Sequence, residues 1–249
     1  MPTWPYPRLI AHRGAGKLAP ENTLPAIEEG FRRGYRCVEI DVGLTADGVV
    51  ALLHDAALLR TTGDPRLLAE TPSADLATLD AGAWLHPRFA GTRIPTLALV
   101  LTRCRKLGMQ IFIELKVGRG QDAQRLGAAV AQTIAMSWSG PPPLLISFNA
   151  AALAAVGAAD SMLPRALLLG HECPVDWAAQ LAGCGACALD LDHRSITLER
   201  VVQVHAAGYA LLAWTVNEPA RAAELLRWGV DGVTTDVVDR IMPDGSAAE

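Results

Sequence analysis

The chain has 249 residues and a mass of 26.4 kDa, near the length of one α/β barrel or of two small domains. Hydrophobic residues make up 51% and charged residues 19%, which excludes a disordered chain and leaves enough apolar material for a sizeable core. A net charge of −4 and a pI of about 5.9 provide no basic excess for nucleic acid or an anionic membrane, so neither nucleic-acid binding nor membrane insertion is expected.

Only three of the 22 basic residues are lysines: Lys17, Lys106 and Lys116. Five cysteines in a chain of this size argue against a disulfide framework. Met1–Leu9 carries three prolines and no apolar stretch resembling a signal peptide. No apolar run approaches the ~18 residues needed to span a bilayer. A cytoplasmic location is the expectation.

Short apolar runs alternate with longer helix-like segments. Arg8–His12 predicts a first strand, and Asn22–Arg33 a helix with Asn22 or Thr23 as N-cap and Gly34 just past its end. Cys37–Val42 is the second strand, and Val49–His54 an extra one. Then follow strands at Gln110–Lys116, Leu144–Phe148, Arg165–Leu169, Ala186–Leu191, Ala210–Val216 and Asp231–Thr235. Between them lie helices at Thr96–Leu107, Ala123–Met136, Ala150–Ala159, Asp176–Leu181, Thr197–Ala207 and Pro219–Arg227. Continuously apolar strands are those of a parallel sheet covered on both faces. Eight strand–helix units predict a TIM (β/α)8 barrel spanning residues 1–249 as one domain. An open doubly wound sheet is the alternative, but no Gly-rich dinucleotide fingerprint follows the first strand. Residues 55–95, rich in Pro, Gly and polar groups, form an insertion after the second strand. The tail Pro243–Glu249 reads as frayed.

In such a barrel the chemistry sits at the C-terminal ends of the strands. Glu39 and Asp41 end the second strand. Two apart, they share a face, ~6–7 Å from one another along the chain. Glu114 and Lys116 repeat that spacing on the strand at 110–116, while His12 ends the first strand and His54 the extra one. One reading of this cluster is a set of buried ion pairs, Glu114 with Lys116 and Asp41 with Arg13, which often bring no net stability. Three carboxylates would repel unless something positive lay between them. They suit a hard divalent cation, Mg2+ or Ca2+. Two histidines, an arginine and a lysine beside such an ion suit phosphoryl chemistry, with the cations neutralising phosphate oxygens and the histidines moving protons.

These residues resemble the glycerophosphodiester phosphodiesterase family. The resemblance runs through His12-Arg13-Gly14, Glu21-Asn22-Thr23, Glu39-x-Asp41, His54-Asp55, Arg60-Thr61-Thr62-Gly63 and Glu114-x-Lys116. It continues in Ser147-Phe148, Trp214-Thr215-Val216-Asn217 and Gly229 to Asp236. Trp4-Pro5-Tyr6-Pro7-Arg8 and Glu224 to Asp231 look like its cytosolic bacterial branch, linked to glycerol-3-phosphate uptake. The resemblance implies hydrolysis of deacylated phospholipids to sn-glycerol 3-phosphate and an alcohol. It places metal ligands on Glu39, Asp41 and Glu114, the acid/base pair on His12 and His54, and phosphate contacts on Arg13 and Lys116. A lyase that stops at a cyclic phosphate would use the same cluster. A binding protein on a dead barrel would lack a ligand or histidine, and none is missing. At the helix starting near Thr96, Ala98 and Leu99 stand where family members often carry acidic residues, which leaves its capping open.

Several residues have two readings. Trp214 walls the glycerol pocket or packs in the core. Ser147 contacts substrate or caps a loop, and Asn217 is a turn residue or a ligand. Glu21 follows the first strand, where it could support the metal site or His12. Asp190, Asp192 and His193 end a strand, Asp190 as a structural residue and His193 near the mouth. Cys184 and Cys187, with His171 and Cys173, form a loose zinc pattern or are ordinary small residues. The insertion leaves from His54-Asp55 and carries Trp84, Leu85, His86 and Phe89. It is expected to cap the mouth and form part of the glycerol pocket, leaving the alcohol side open.

Overall fold

A computed structural model describes residues 4–243. The expected frayed tail therefore lies, apart from Pro243, outside the described residues. The chain runs β1 (Leu9–Ala11), α1 (Leu24–Arg32), β2 (Cys37–Leu44), β3 (Val50–Leu52), α2 (Leu59–Thr62), α3 (Ser73–Leu76), α4 (Leu97–Leu107) and β4 (Gln110–Leu115). It continues through α5 (Ala123–Ser137), β5 (Leu144–Ser147), α6 (Ala150–Ala159), β6 (Arg165–Leu169), α7 (Trp177–Cys184) and β7 (Ala188–Asp192). It ends with α8 (Leu198–Ala206), β8 (Ala210–Trp214), α9 (Pro219–Trp228) and β9 (Gly232–Thr235).

Eight strands pair in parallel and close on themselves: β1 lies beside β9 with Leu9 opposite Val233, and beside β2 with Ala11 opposite Val38. This is the expected TIM barrel. The extra strand, β3, stays outside the ring and pairs antiparallel with the outer end of β2, Val42 opposite Leu52.

Alternation along each strand divides the side chains between two layers. Val38, Ile40 and Val42 of β2, like Leu189 and Leu191 of β7, point outward into the main core beneath the helices. Cys37, Phe112, Leu144, Ala166, Ala188 and Leu212 point inward and fill the barrel. Phe112, Tyr6 and Trp4 stack edge-on at the N-terminal end, with Tyr6 and Phe112 ring centres 5.2 Å apart. Burying each large apolar side chain contributes about 1.5–3 kcal/mol. The interior floor is therefore largely apolar, with Gln110 and the Trp4 indole its buried polar exceptions, and the ionisable groups lie in the next layer toward the C-terminal ends.

Thr23, not Asn22, caps α1: its hydroxyl accepts from the Ala26 N–H. Asn22 sits at φ +58 and is used elsewhere. The Thr96 hydroxyl accepts from the Leu99 N–H, so α4 is capped without an acidic residue. Within 55–95, α2, α3 and two 3₁₀ turns fold around Leu58, Leu68, Leu76, Ala81 and Ile94, which join Ala51 and Leu53 in a small separate core.

Gly30 lies inside α1, where Ala is ordinarily better by about 1 kcal/mol. Here a Cβ would fall 2.2 Å from the Gly14 carbonyl oxygen, because the loop after β1 packs backbone-to-backbone on the helix. Gly30→Ala is expected to lower stability by about 2 kcal/mol or more, read as a reduced urea midpoint with unchanged m-value. A neutral or raised midpoint would show that the loop yields.

Candidate active site

The inward positions just above the apolar floor carry the charge. Glu39 and Asp41 of β2 and Glu114 of β4 meet there, Asp41 directly opposite Glu114 in register. One carboxylate oxygen from each lies within 4.8 Å of the others, and all three side chains are buried. Glu39 Oε1 and Asp41 Oδ1 are buried with no hydrogen-bond donor among the described residues. Three carboxylates around one point with oxygens left bare fit a hard divalent cation bound through oxygen. The zinc pattern does not assemble: this acidic trio is the one such grouping among the described residues, and all five cysteines are free.

Positive charge surrounds the trio. Lys116 Nζ donates to Glu114 Oε1 at 2.8 Å and lies 3.6 Å from Asp41 Oδ1. Arg13 Nε is 3.4 Å from Asp41 Oδ2, and its backbone N–H donates to Glu39 Oε2 at 3.1 Å. Both ion pairs anticipated from sequence are therefore present. Arg13 and Asn22 are the two non-glycine residues with positive φ among the described residues, a conformation that costs ~1–3 kcal/mol where it is strained. In return the Asn22 amide donates to Asp41 Oδ2 at 2.8 Å and accepts from the Asp41 N–H at 2.9 Å.

Burial raises Asp41, but Arg13 and Lys116 more than offset it, and its carboxyl stays below the usual range. Glu39 has less help: burial, then Asp41 and Glu114, push it well up. Glu114 is pushed up to about 7 by burial and Asp41 despite Lys116. Without a cation, the trio thus keeps protons that bulk water would remove.

Both histidines reach this mouth, and each is oriented by a carboxylate that sequence reasoning gave no role. His12 Nδ1 meets Asp236 Oδ1 at 2.6 Å, leaving Nε2 3.8 Å from Glu39 Oε2. His54 Nδ1 meets Asp55 Oδ1 at 2.7 Å. Asp236 follows the end of β9, and Asn217 grips it twice, through its side-chain amide and the Asp236 N–H. Arg60 of the insertion joins Asp55 to Glu21, and Glu21 also accepts from Arg13 at 2.9 Å. Burial raises Asp55 and Asp236, but the hydrogen bonds outweigh it and both fall to about 2. An acidic residue directly after a strand end was the available signal for Asp236.

Glu21 thus sits between Arg13 and Arg60, and Asn217 holds Asp236. The Ser147 hydroxyl is spent on the Leu115 carbonyl and the Asn149 N–H, and Asp192 is tied to Arg194. Trp214 stands edge-on to Phe148, ring centres 5.4 Å apart.

Two cavities flank the trio and share His54, Glu114, Lys116 and Phe148. One, about 90 Å³, is lined by His12, Leu168, Asp190, Trp214 and Thr234 and draws nothing from 55–95. The other, about 170 Å³, is bordered by Asp55, Ala56, Leu68, Gln121 and Asn149.

A closed parallel barrel with a buried acidic centre, two carboxylate-held histidines and two cations defines a class of metal-assisted phosphoric-ester enzymes. Comparison with known proteins gives the family. Residues 12–240 match the glycerophosphoryl diester phosphodiesterase family. The chain is 30% identical to a glycerophosphodiester phosphodiesterase of Caldanaerobacter subterraneus, covering 92% of this chain and 93% of that one. It is 33% identical to a solved phosphodiesterase of Oleispira antarctica in complex with the product sn-glycerol-3-phosphate, covering 95% of each chain, with a TM-score of 0.90. The chain belongs to the glycerophosphoryl diester phosphodiesterase family.

The raised Glu114 ties stability to pH. Unfolded, it ionises near its ordinary value; folded and metal-free, it holds its proton to about 7. Between those values rising pH favours the unfolded chain, by about 3 kcal/mol in all. In chelator, Glu114→Gln is expected to be more stabilising at pH 8 than at pH 5, and Mg2+ or Ca2+ should recover the wild type at pH 8. Parallel melting curves across that range would contradict the charge assignment.

Proposed function

We propose that this protein hydrolyses glycerophosphodiesters to sn-glycerol 3-phosphate and an alcohol, using a divalent cation, Mg2+ or Ca2+, held by Glu39, Asp41 and Glu114. The observation that carries this reading is the buried trio with bare oxygens standing between two carboxylate-held histidines. Similarity to the Oleispira enzyme, solved with sn-glycerol 3-phosphate, supports the product. Once bound, the cation supplies Lewis-acid polarisation of the phosphoryl group.

The chain's own groups do the rest. Arg13 and Lys116 neutralise non-bridging phosphate oxygens as charge builds. His12 lines only the smaller cavity, so its free Nε2 takes the proton of the attacking water, whose oxygen bonds phosphorus as the bond to the alcohol oxygen breaks. His54 stands where the two cavities join and gives its proton to the leaving alcohol in the wider one. Burial holds the His54 pKa below its ordinary value, and the negative phosphate arriving beside it favours the charged form. In this reading the glycerol end occupies the smaller cavity, and the insertion borders the alcohol side.

A cytoplasmic location fits the free cysteines and the sequence resemblance to the branch linked to glycerol-3-phosphate uptake. No helix among the described residues is long and apolar enough to cross a membrane.

Product analysis by phosphorus NMR, with glycerophosphocholine and glycerophosphoethanolamine, tests the reaction. Equimolar sn-glycerol 3-phosphate and free alcohol are expected, with loss of at least about a hundredfold in chelator or in Glu39→Gln. Full turnover without metal would sink the cation assignment, and a cyclic phosphate as end product would make the enzyme a lyase.

The division of labour between histidines has its own readout. An aryl leaving group needs little protonation, so a p-nitrophenyl diester should restore His54→Ala activity by about tenfold or more relative to glycerophosphocholine, and leave His12→Ala inactive. Equal losses on both substrates would argue against it.

A further inference from the structure

Asp190 is the one carboxyl lining the smaller cavity that belongs neither to the acidic trio nor to a histidine pair among the described residues. It alternates inward on β7 between Leu168 of β6 and Leu212 of β8, which are its partners in register. It is 1% exposed, and its Oδ1 is buried with no hydrogen-bond partner among the described residues. No barrel needs a bare acid between two leucines, since a third apolar residue would pack there at no polar cost. A second residue lining this cavity also carries an unused polar atom: the buried indole Nε1 of Trp214 lacks a partner. Two residues lining one small cavity thus each carry a buried, unsatisfied polar atom, one on a carboxyl and one an N–H donor.

We infer that Asp190, with the Trp214 indole, forms a diol subsite that reads the hydroxyls of the glycerol moiety. This rests on the proposed function, which puts glycerol on that side. A hydroxyl both donates and accepts. Burial, then Glu114, push the Asp190 carboxyl well above its usual range, so the group is held in the form that also donates and accepts. The Trp214 N–H donates only and takes the second hydroxyl as acceptor. A ligand without hydroxyls leaves both groups buried and bare, so it is rejected.

Competitive inhibition by sn-glycerol 3-phosphate and by n-propyl phosphate isolates this contribution, because the two share the phosphate and differ in the diol. The wild-type enzyme should bind the glycerol ester more tightly by on the order of ten- to a hundredfold. Asp190→Leu should bring that ratio close to one, Asp190→Asn should keep most of it, and Trp214→Phe should lose part. Should the Leu variant not fold, Asp190→Ser, which pulls back from the hydroxyl, carries the same expectation as Leu. A ratio that survives in Leu and Ser, or equal weakening of both ligands, overturns the assignment. So does a loss in Asp190→Leu turnover confined to the choline diester, which would make Asp190 a partner of the head group. If the wild type releases no sn-glycerol 3-phosphate from any glycerophosphodiester, the proposed function itself has failed.

Discussion

Everything at the mouth of this barrel answers to one problem: three carboxylates buried within 4.8 Å of one another. Two like charges at that separation repel by roughly 3 kcal/mol at an effective dielectric of about 20, and there are three such pairs. The chain relieves this in three ways. Arg13 and Lys116 stand against Asp41, Asn22 grips it from the side and behind, and Glu39 and Glu114 retain protons. None of these reaches Glu39 Oε1 or Asp41 Oδ1 with a hydrogen bond. That residue of unsatisfied negative potential is the physical basis of cation binding.

The surrounding structure follows from keeping the trio in place. Arg13 and Asn22 adopt left-handed backbone on the short path between β1 and α1, so that one loop supplies a main-chain donor, a guanidinium and an amide to two carboxylates. Gly14 and Gly30 let that loop lie directly on α1. Arg60 reaches in from the insertion to bind both Glu21 and Asp55. One guanidinium thereby couples the orientation of His54 to that of Arg13. The insertion is tied to the chemistry through charge as well as through its small apolar core.

The barrel interior is layered by polarity. Its lower layer is largely apolar and closed by the Trp4, Tyr6 and Phe112 stack; its upper layer carries the ionisable groups. This separation keeps the dielectric low beneath the site, which strengthens each ion pair and raises the cost of each unpaired group. The two cavities are also unequal: the smaller, about 90 Å³, is lined by barrel residues, and the larger, about 170 Å³, is bordered by residues of the insertion. A fixed, small moiety and a variable one can be bound on opposite sides of the same phosphate.

The sequence by itself determined the barrel and its centre. Eight apolar runs alternating with helix-like segments have few other ways to bury themselves, and the two-residue spacing of Glu39 with Asp41 and of Glu114 with Lys116 forces each pair onto one face of a strand. What the sequence left undecided depended on contacts between distant segments. Asp236 reaches His12 across 224 positions, and no local pattern distinguishes it from any acid after a strand. Asn22 read equally well as a helix cap until its positive φ turned the amide toward Asp41. The placement of the insertion beside the larger cavity depends on where the chain leaves β3, which pairs outside the ring. Asp190 read as structural because a strand pattern cannot show that a buried oxygen lacks a partner. Tertiary structure decided these because hydrogen-bond satisfaction belongs to the packed chain, whereas alternation and spacing belong to the strand.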